Sequence, residues 1–284
     1  MRKMTLLMLL AVLMTAACTE RNTTATTGGL SVEPMTIEID SNGVAVTLTA
    51  DVPTNSALMQ QSLTEYINVQ LFFWEMESYF DAPTFNGDFK AYLNDCARLT
   101  WKRLEEGTFG DYPETVGPDD DGLTATEARE AAAGNCLTSG TVSFRLVYDT
   151  DSLASWQYEH DFYLAYTNHP SMEMAGITLR KDNGKLLYHD DLLRNYNSPE
   201  FHQLQKEALR EWIATNWEVA ATTDEELQGC LFNDEVENIN ELPLPEQNPF
   251  LTNEGIALPY ESGELVQEAC IITLPYEKVK PFMK

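Results

Sequence analysis

Basic residues are scarce in this chain: 18 lysines and arginines stand against 45 aspartates and glutamates, for a formal net charge of −27. Residues 1–17 hold two of the basic residues and no acidic one, so the chain without them has 16 basic and 45 acidic residues, or −29 (16 minus 45). Such a surface repels nucleic-acid phosphates and anionic headgroups, and it attracts basic partners. We therefore expect no nucleic-acid binding. A simpler role for the charge is to keep an exported protein dissolved.

Histidine is equally scarce, and no catalytic motif is present. The four histidines are 9, 20 and 13 residues apart and form no compact metal pair; they are His160, His169, His189 and His202. The sequence has no glycine-rich phosphate loop, and Ser262 lacks the flanking pattern of a hydrolase nucleophile. With 45 carboxylates, a pair suited to glycan hydrolysis can always be picked, so such a pair indicates nothing. We expect no catalytic residue, no metal and no cofactor; an envelope hydrolase or deacetylase acting on peptidoglycan is the alternative.

Long apolar runs are also missing, apart from a short one near the N-terminus. Basic residues precede an apolar stretch from Leu6 to Leu13, and small residues lead directly to Cys18. This run is too short to span a bilayer and is typical of a signal peptide, here residues 1–17. The small residues before the cysteine resemble the lipobox of bacterial lipoproteins. We therefore expect lipidated Cys18, a flexible tether over residues 18–33 and anchoring in the cell envelope, at the outer membrane. An ordinary secreted protein is the alternative.

Cysteines are few beyond Cys18, and they are Cys96, Cys136, Cys230 and Cys270. An even number in an oxidising compartment suggests two disulfides, although four cysteines allow three connectivities. We expect the sequential pairs 96–136 and 230–270. Zinc binding is the competing interpretation, but no two of these cysteines are close in sequence and no histidine lies beside one at ligand spacing.

The first half of the chain opens on β-structure and then changes period. Thr36–Asp40 and Val44–Thr49 flank an Asn-Gly pair, which is typical of a tight hairpin. From Ser56 to about Tyr79 apolar residues recur every three or four positions, which predicts a long helix lying across a sheet. A second helix fits Phe89–Glu106, with an aspartate as its N-cap and a glycine after its end. These elements define a predicted N-terminal α/β module over residues 34–139.

An acidic loop interrupts that module. Residues 117–124 include three successive aspartates and a glycine, which resemble part of a calcium-binding loop. Counted from Asp119, the twelfth position is Glu130, as an EF-hand requires, but the sixth is Thr124 where glycine is needed. We expect a solvated loop, and the sequence leaves cation binding there open.

The chain is organised around a meander of strands in its second half. From Trp156 to Tyr166 apolar and polar residues alternate, which is the period of a half-buried strand. A strand over Val142–Tyr148 precedes it, and one over Met172–Arg180 follows it. Because His160 falls on the apolar face, we expect a hydrogen-bonded core histidine and not a metal ligand.

The clearest helix follows the meander. Ser198 is placed as its N-cap, Pro199 occupies the first helical position, and an apolar stripe runs from Phe201 to Trp217. We expect this helix to cover the meander. Strands near 250–258 and 270–274 close the chain. The predicted fold class is α+β, with antiparallel sheets covered by long amphipathic helices.

The order of short motifs in the second half resembles the C-terminal domain of RsiV-like anti-sigma factors, which are envelope proteins that sense lysozyme. The resemblance covers residues 141–281, and residues 36–79 are similar to the small α/β module that precedes this domain. We therefore assign residues 140–284 to an RsiV-like domain. The motifs that carry the resemblance are, in order, His169-Pro170, Asn183-Gly184-Lys185, the helix up to Trp217, Phe250-Leu251-Thr252 with Gly255, and Ile272 to Glu277.

The resemblance implies a non-catalytic protein that binds a partner, and lysozyme or another basic cell-wall-active protein would complement the negative charge. Two loops depart from the family pattern. The turn before the His-Pro pair lacks the usual small residues, and the segment before the last strand is shortened. We predict partner contacts there, at Tyr166, Asn168, His169 and Tyr260.

Overall fold

A computed structural model describes residues 29–72, 82–106, 138–163, 171–217, 219–232, 236 and 238–284. In these ranges the fold is α+β, with a six-stranded and a three-stranded sheet, which confirms the predicted fold class. The elements are, in chain order, β1 (Val32–Ser41), β2 (Val44–Pro53), α1 (Ala57–Phe72), α2 (Phe89–Glu106), β3 (Thr138–Asp149), β4 (Leu153–Tyr163), β5 (Ser171–Arg180), β6 (Leu186–Leu187), α3 (His189–Leu192), α4 (Pro199–Asn216), α5 (Asp224–Gln228), β7 (Phe250–Leu251), β8 (Gly255–Tyr260), β9 (Cys270–Pro275), α6 (Tyr276–Val279) and a final 3₁₀ helix (Lys280–Phe282).

The large sheet has its strands in chain order, from β1 to β6. The first hairpin turns at Asn42 and Gly43, whose φ angles of 54° and 75° are the left-handed values that this pair favours. The strands β3 to β6 form the predicted antiparallel meander. The pairing of β2 with β3 is parallel, which the sequence did not indicate. Parallel neighbours need a long crossover, and α1 and α2 lie in the connection between these two strands.

One face of the large sheet is covered by α1 and α2. Alternate residues of β2 are buried there, beginning with Val44, Val46 and Leu48, together with Trp156 and Tyr158 of β4. The prediction that the helix ending near Trp217 covers this meander is therefore wrong. That helix, α4, packs on β9 of the other sheet.

The second core lies between the three-stranded sheet, in the order β7-β8-β9, and the helices α3 to α6. The start of α4 is as predicted, because the Ser198 hydroxyl accepts a hydrogen bond from the Phe201 amide at 3.2 Å and Pro199 is the first helical residue. The predicted Cys230–Cys270 disulfide is wrong in this structure, since both residues are free thiols. Cys96 is also a free, buried thiol, and Cys136 lies outside the described residues.

The two sheets contact each other at the far end of the large one. Phe250 packs directly on Gly176 of β5, where a Cβ atom would lie 2.2 Å from the phenyl ring. The Leu251 amide donates a hydrogen bond of 2.9 Å to the Thr178 hydroxyl. The predicted module boundary between residues 139 and 140 lies inside β3, so strands from both predicted modules share the large sheet.

Candidate functional site

The face of the large sheet that points away from α1 and α2 carries two rows of polar side chains. Strand register aligns the members of each row from β2 to β5. The side chains in these rows carry hydroxyl groups on β2 and β3, carboxylates on β4 and thioethers on β5. One row contains Thr47, Thr141, Asp161 and Met172, and the other contains Thr49, Ser143, Glu159 and Met174. Together these eight residues, which we call the outer face, line an open trough of about 380 Å³.

The charge of the outer face is negative. On neighbouring β1, Glu38 pairs in register with Thr47, and its exposed side chain continues the first row. Glu159 is neutralised in part by Arg145, whose guanidinium lies 2.7 Å from the carboxylate. Asp161 is exposed and has no hydrogen-bond or ion-pair partner among the described residues. Glu38 likewise has no ion-pair partner among the described residues, so Asp161 and Glu38 leave this part of the face with unbalanced negative charge.

Apolar side chains stand beside these carboxylates. Met172 is 47 % exposed, and Tyr163, at the end of β4, is 40 % exposed. Methionine is flexible and polarisable, so it adapts to differently shaped partners. Exposed apolar groups edged by charge are typical of protein-binding surfaces.

The opposite side of the same strands holds His160, and the expectation of a hydrogen-bonded core histidine is confirmed. The imidazole is 3 % exposed and stacks on Phe162 with 4.3 Å between ring centroids. Its Nδ1 lies 2.7 Å from the Tyr158 hydroxyl, and its Nε2 lies 3.3 Å from the Ser171 hydroxyl. Burial lowers the pKa of His160 to about 4, so the ring is neutral at pH 7.

The structure tests one of the predicted contact residues directly. Tyr260 is 0 % exposed, so its assignment to a partner-binding loop is wrong. Its hydroxyl donates a hydrogen bond of 2.8 Å to the carbonyl of Pro243 and accepts one of 3.1 Å from the Gln205 amide. These bonds connect the loop before β7, which contains Pro243, to α4, which contains Gln205. Tyr260 is therefore a core residue whose polar end is satisfied internally.

The other predicted site residues lie outside the described ranges: Cys18, Cys136, Tyr166, Asn168, His169 and the acidic loop 117–124. Tyr166, Asn168 and His169 lie in the chain between Tyr163, the last residue of β4, and Ser171, the first residue of β5.

A buried lysine is the other notable charged group. Lys206 on α4 is 6 % exposed and donates hydrogen bonds to Asp224 at 3.1 Å and to Asn240 at 2.7 Å. A buried ammonium group with two acceptors is electrostatically satisfied. We assign Lys206 a structural role, which is to hold α5 and the loop that follows it against α4.

The described ranges contain neither a candidate metal cluster nor a candidate membrane-spanning helix. They contain no group of three or more histidine, cysteine, aspartate or glutamate side chains arranged to hold a metal ion. None of the helices described is both long and apolar enough to cross a membrane.

The arrangement of helices and sheets matches known structures. Two crystal structures of DUF3298 proteins align with 90 % of this chain and 94 % of their own. The chain shares the DUF3298 fold. The protein from Bacteroides fragilis NCTC 9343 aligns with a TM-score of 0.53 and 15 % identity, and the protein from Pseudomonas aeruginosa PAO1 with 0.50 and 12 %. DUF3298 proteins are related to the RsiV C-terminal domain, so the resemblance seen in the sequence is supported at the level of the fold. No protein-family model and no curated protein matches the sequence.

The sequence signal for the outer face was present but incomplete. Glu159 and Asp161 alternate with aromatic residues on β4, which indicated a polar face. The threonines of β2 and the methionines of β5 join that face only through strand pairing.

Proposed function

We propose that this chain is a non-catalytic, lipid-anchored protein of the cell envelope that binds a basic partner, lysozyme or another basic cell-wall-active protein. The binding surface is the outer face, extended by Glu38 and Tyr163. The observation that carries the proposal is the unbalanced carboxylate of Asp161 beside the exposed Met172, on a sheet face that no described helix covers.

Charge complementarity supports a basic partner. Without residues 1–17, the formal charge of −29 steers a cationic protein toward the chain from a distance, and this attraction weakens as salt screens it. At contact, Asp161 and Glu38 offer carboxylates to lysine or arginine, while Met172 and Tyr163 supply apolar area. A polar face with a few apolar anchors fits the composition of transient protein interfaces.

Envelope anchoring rests on the N-terminal sequence. Acyl chains on Cys18 would hold the protein at a membrane, and the polar residues up to 33 would let the folded part extend from it. The relation of DUF3298 proteins to the RsiV C-terminal domain fits an envelope location.

Replacing Asp161 with lysine is expected to weaken binding to lysozyme by about tenfold at low salt, because it turns an attraction at the contact into a repulsion. The measurement is the dissociation constant from surface plasmon resonance, with purified, immobilised Cys18→Ser protein at low and moderate ionic strength. Glu254→Lys is the matched control, because it makes the same charge change on the turn between β7 and β8.

The two variants separate a local effect from a general one. Equal losses for Asp161→Lys and Glu254→Lys would show that net charge alone attracts the partner and would reject the outer face as the site. No salt-sensitive binding of lysozyme at micromolar concentration would reject lysozyme as the partner.

Replacing Cys18 with serine is expected to abolish incorporation of labelled palmitate and to release the protein from the membrane fraction, because the acyl chains are attached through Cys18. The measurement is metabolic labelling followed by fractionation of cells that express either form. Cys230→Ser serves as the control, since Cys230 lies in the folded part and is a partly exposed free thiol. Undiminished labelling of the Cys18→Ser protein would contradict lipidation at this residue.

A further inference from the structure

The inner face of the β4–β5 hairpin contains a half-buried carboxylate that the proposed binding function does not use. Glu173 lies between Met172 and Met174 in sequence and opposite His160 in register, and its side chain is 21 % exposed. Because side chains alternate along a strand, Glu173 points toward α1 while the two methionines point to the outer face.

The surroundings of Glu173 favour its protonated form. Among the described residues, His160 is the one basic side chain close to the carboxylate, with 3.5 Å between its Nδ1 and Glu173 Oε2. Its imidazole is neutral at pH 7, so it offers no compensating charge. No hydrogen bond to the carboxylate is present in the described part of the chain. Burial, and secondarily the negative charge of Glu261, raise the pKa of Glu173 to about 7.

Two tyrosines from neighbouring elements complete the cluster. Tyr66 of α1 and Tyr158 of β4 are both buried, and both have a raised pKa, mainly from burial and then from the charge of Glu173. The Tyr66 hydroxyl has no hydrogen-bond partner within the described residues. Among the described residues, the titratable groups facing Glu173 are His160, Tyr158, Tyr66 and Glu261, and none of these four carries a positive charge at neutral pH.

Among the described strands, the first half of β5, which contains Glu173, is paired with a neighbouring strand on one side only. In the described ranges β6 pairs with Thr178 and Leu179 only, so the first half of β5 has β4 as its one strand partner. Strand ends paired on one side open locally at a lower free energy than the centre of a sheet. When the Glu173 carboxylate is charged and has no cation beside it, the equilibrium shifts toward the open state, because opening returns the carboxylate to water.

We propose that the first half of β5, Ser171 to Met174, is a pH-sensitive element of the fold that stays closed while Glu173 is protonated and opens locally when Glu173 ionises. The sign follows from the direction of the shift. Below pH 4.5, the ordinary pKa of a glutamate, Glu173 is protonated in both the closed and the open state, and the closed state has its full stability. As the pH rises to about 7, the raised pKa in the closed state, this stability is lost because the open state ionises first. Since Met172 and Met174 belong to the same segment, opening would also remove them from the outer face.

Hydrogen exchange tests this directly on the purified protein. After correction for the intrinsic exchange rate, the opening constant of the β5 amides that bond to β4 is expected to rise roughly tenfold between pH 6 and pH 8. In Glu173→Gln, which keeps the shape and cannot ionise, the constant should not change with pH. Asp161→Asn is the matched control: it removes a carboxylate from the other face of the same hairpin and should keep the wild-type pH dependence.

If the opening constant of the β5 amides depended on pH equally in the wild type and in Glu173→Gln, the proposal would be overturned. A carbon-13 NMR titration that placed the Glu173 carboxyl near 4.5 would overturn it as well, whether or not the glutamine variant folds. Neither measurement needs a bound partner, so failure of lysozyme binding and failure of the pH-sensitive element are separate results.

Discussion

Trp156→Ala is expected to lower the free energy of unfolding by about 4 kcal/mol, because large-to-small changes at fully buried aromatic residues leave a cavity that the core cannot fill. Trp156 is the fourth residue of β4, is 0 % exposed, and belongs to the core between the large sheet and its covering helices. Its indole nitrogen also donates a hydrogen bond of 2.9 Å to the carbonyl of Asp51, which the alanine variant would leave without this donor. Urea titration measures the difference.

Trp156→Phe is the matched control for that experiment. Phenylalanine keeps most of the apolar volume and loses the donor to Asp51, so we expect a loss of about 1–2 kcal/mol. Equal losses for the two variants would mean that the hydrogen bond, and not the filled volume, accounts for the stability that Trp156 provides.

Gly255→Ala is expected to cost about 3 kcal/mol and to disrupt pairing of β8 with β9. A Cβ atom on Gly255 would lie 2.0 Å from the carbonyl oxygen of Leu274, which is backbone and cannot rotate away. One strand would have to move from the other, and overpacking of this kind is strongly destabilising. Urea titration gives the stability, and amide exchange on β9 shows whether the pairing survives.

Gly229→Ala is the control for the backbone clash. A Cβ at Gly229 meets its nearest neighbour, the carbonyl of Glu226, at 3.4 Å, and the residue has the φ of a helix, −68°. We expect the free energy of unfolding of the Gly229→Ala variant to differ from that of the wild type by less than about 1 kcal/mol. If Gly255→Ala were as mild as this control, the close approach of β8 and β9 at that position would be disproved.

The elements that the sequence predicted well are those with local causes. The range Phe89–Glu106 is the helix observed, and its aspartate cap is present, with Asp88 accepting from the Ala91 amide at 3.0 Å. The Asn42-Gly43 turn was predicted for the same reason. Caps, turns and apolar periods act within a few residues, so a short stretch of sequence contains all the information they need.

The predictions that failed depended on distant parts of the chain. An amphipathic stripe shows that α4 covers something, but not which sheet, and it covers β9. The parallel pairing of β2 with β3 depends on the path of the crossover. Tyr260 was assigned to a partner-binding loop because the segment before the last strand departs from the family pattern, yet Gln205 and Pro243 supply its buried partners.

By itself the sequence determined the acidic charge, the N-terminal lipobox pattern, the helices with their caps and the two faces of β4, because each is a property of composition or of neighbouring residues. The tertiary structure decided the outer face and the Glu173 cluster. Strand register places Thr47, Thr141, Asp161 and Met172 in one row, and packing of α1 brings Tyr66 toward Glu173. Such groups lie tens to more than a hundred residues apart in the chain, so the surface they form exists only once the strands have paired.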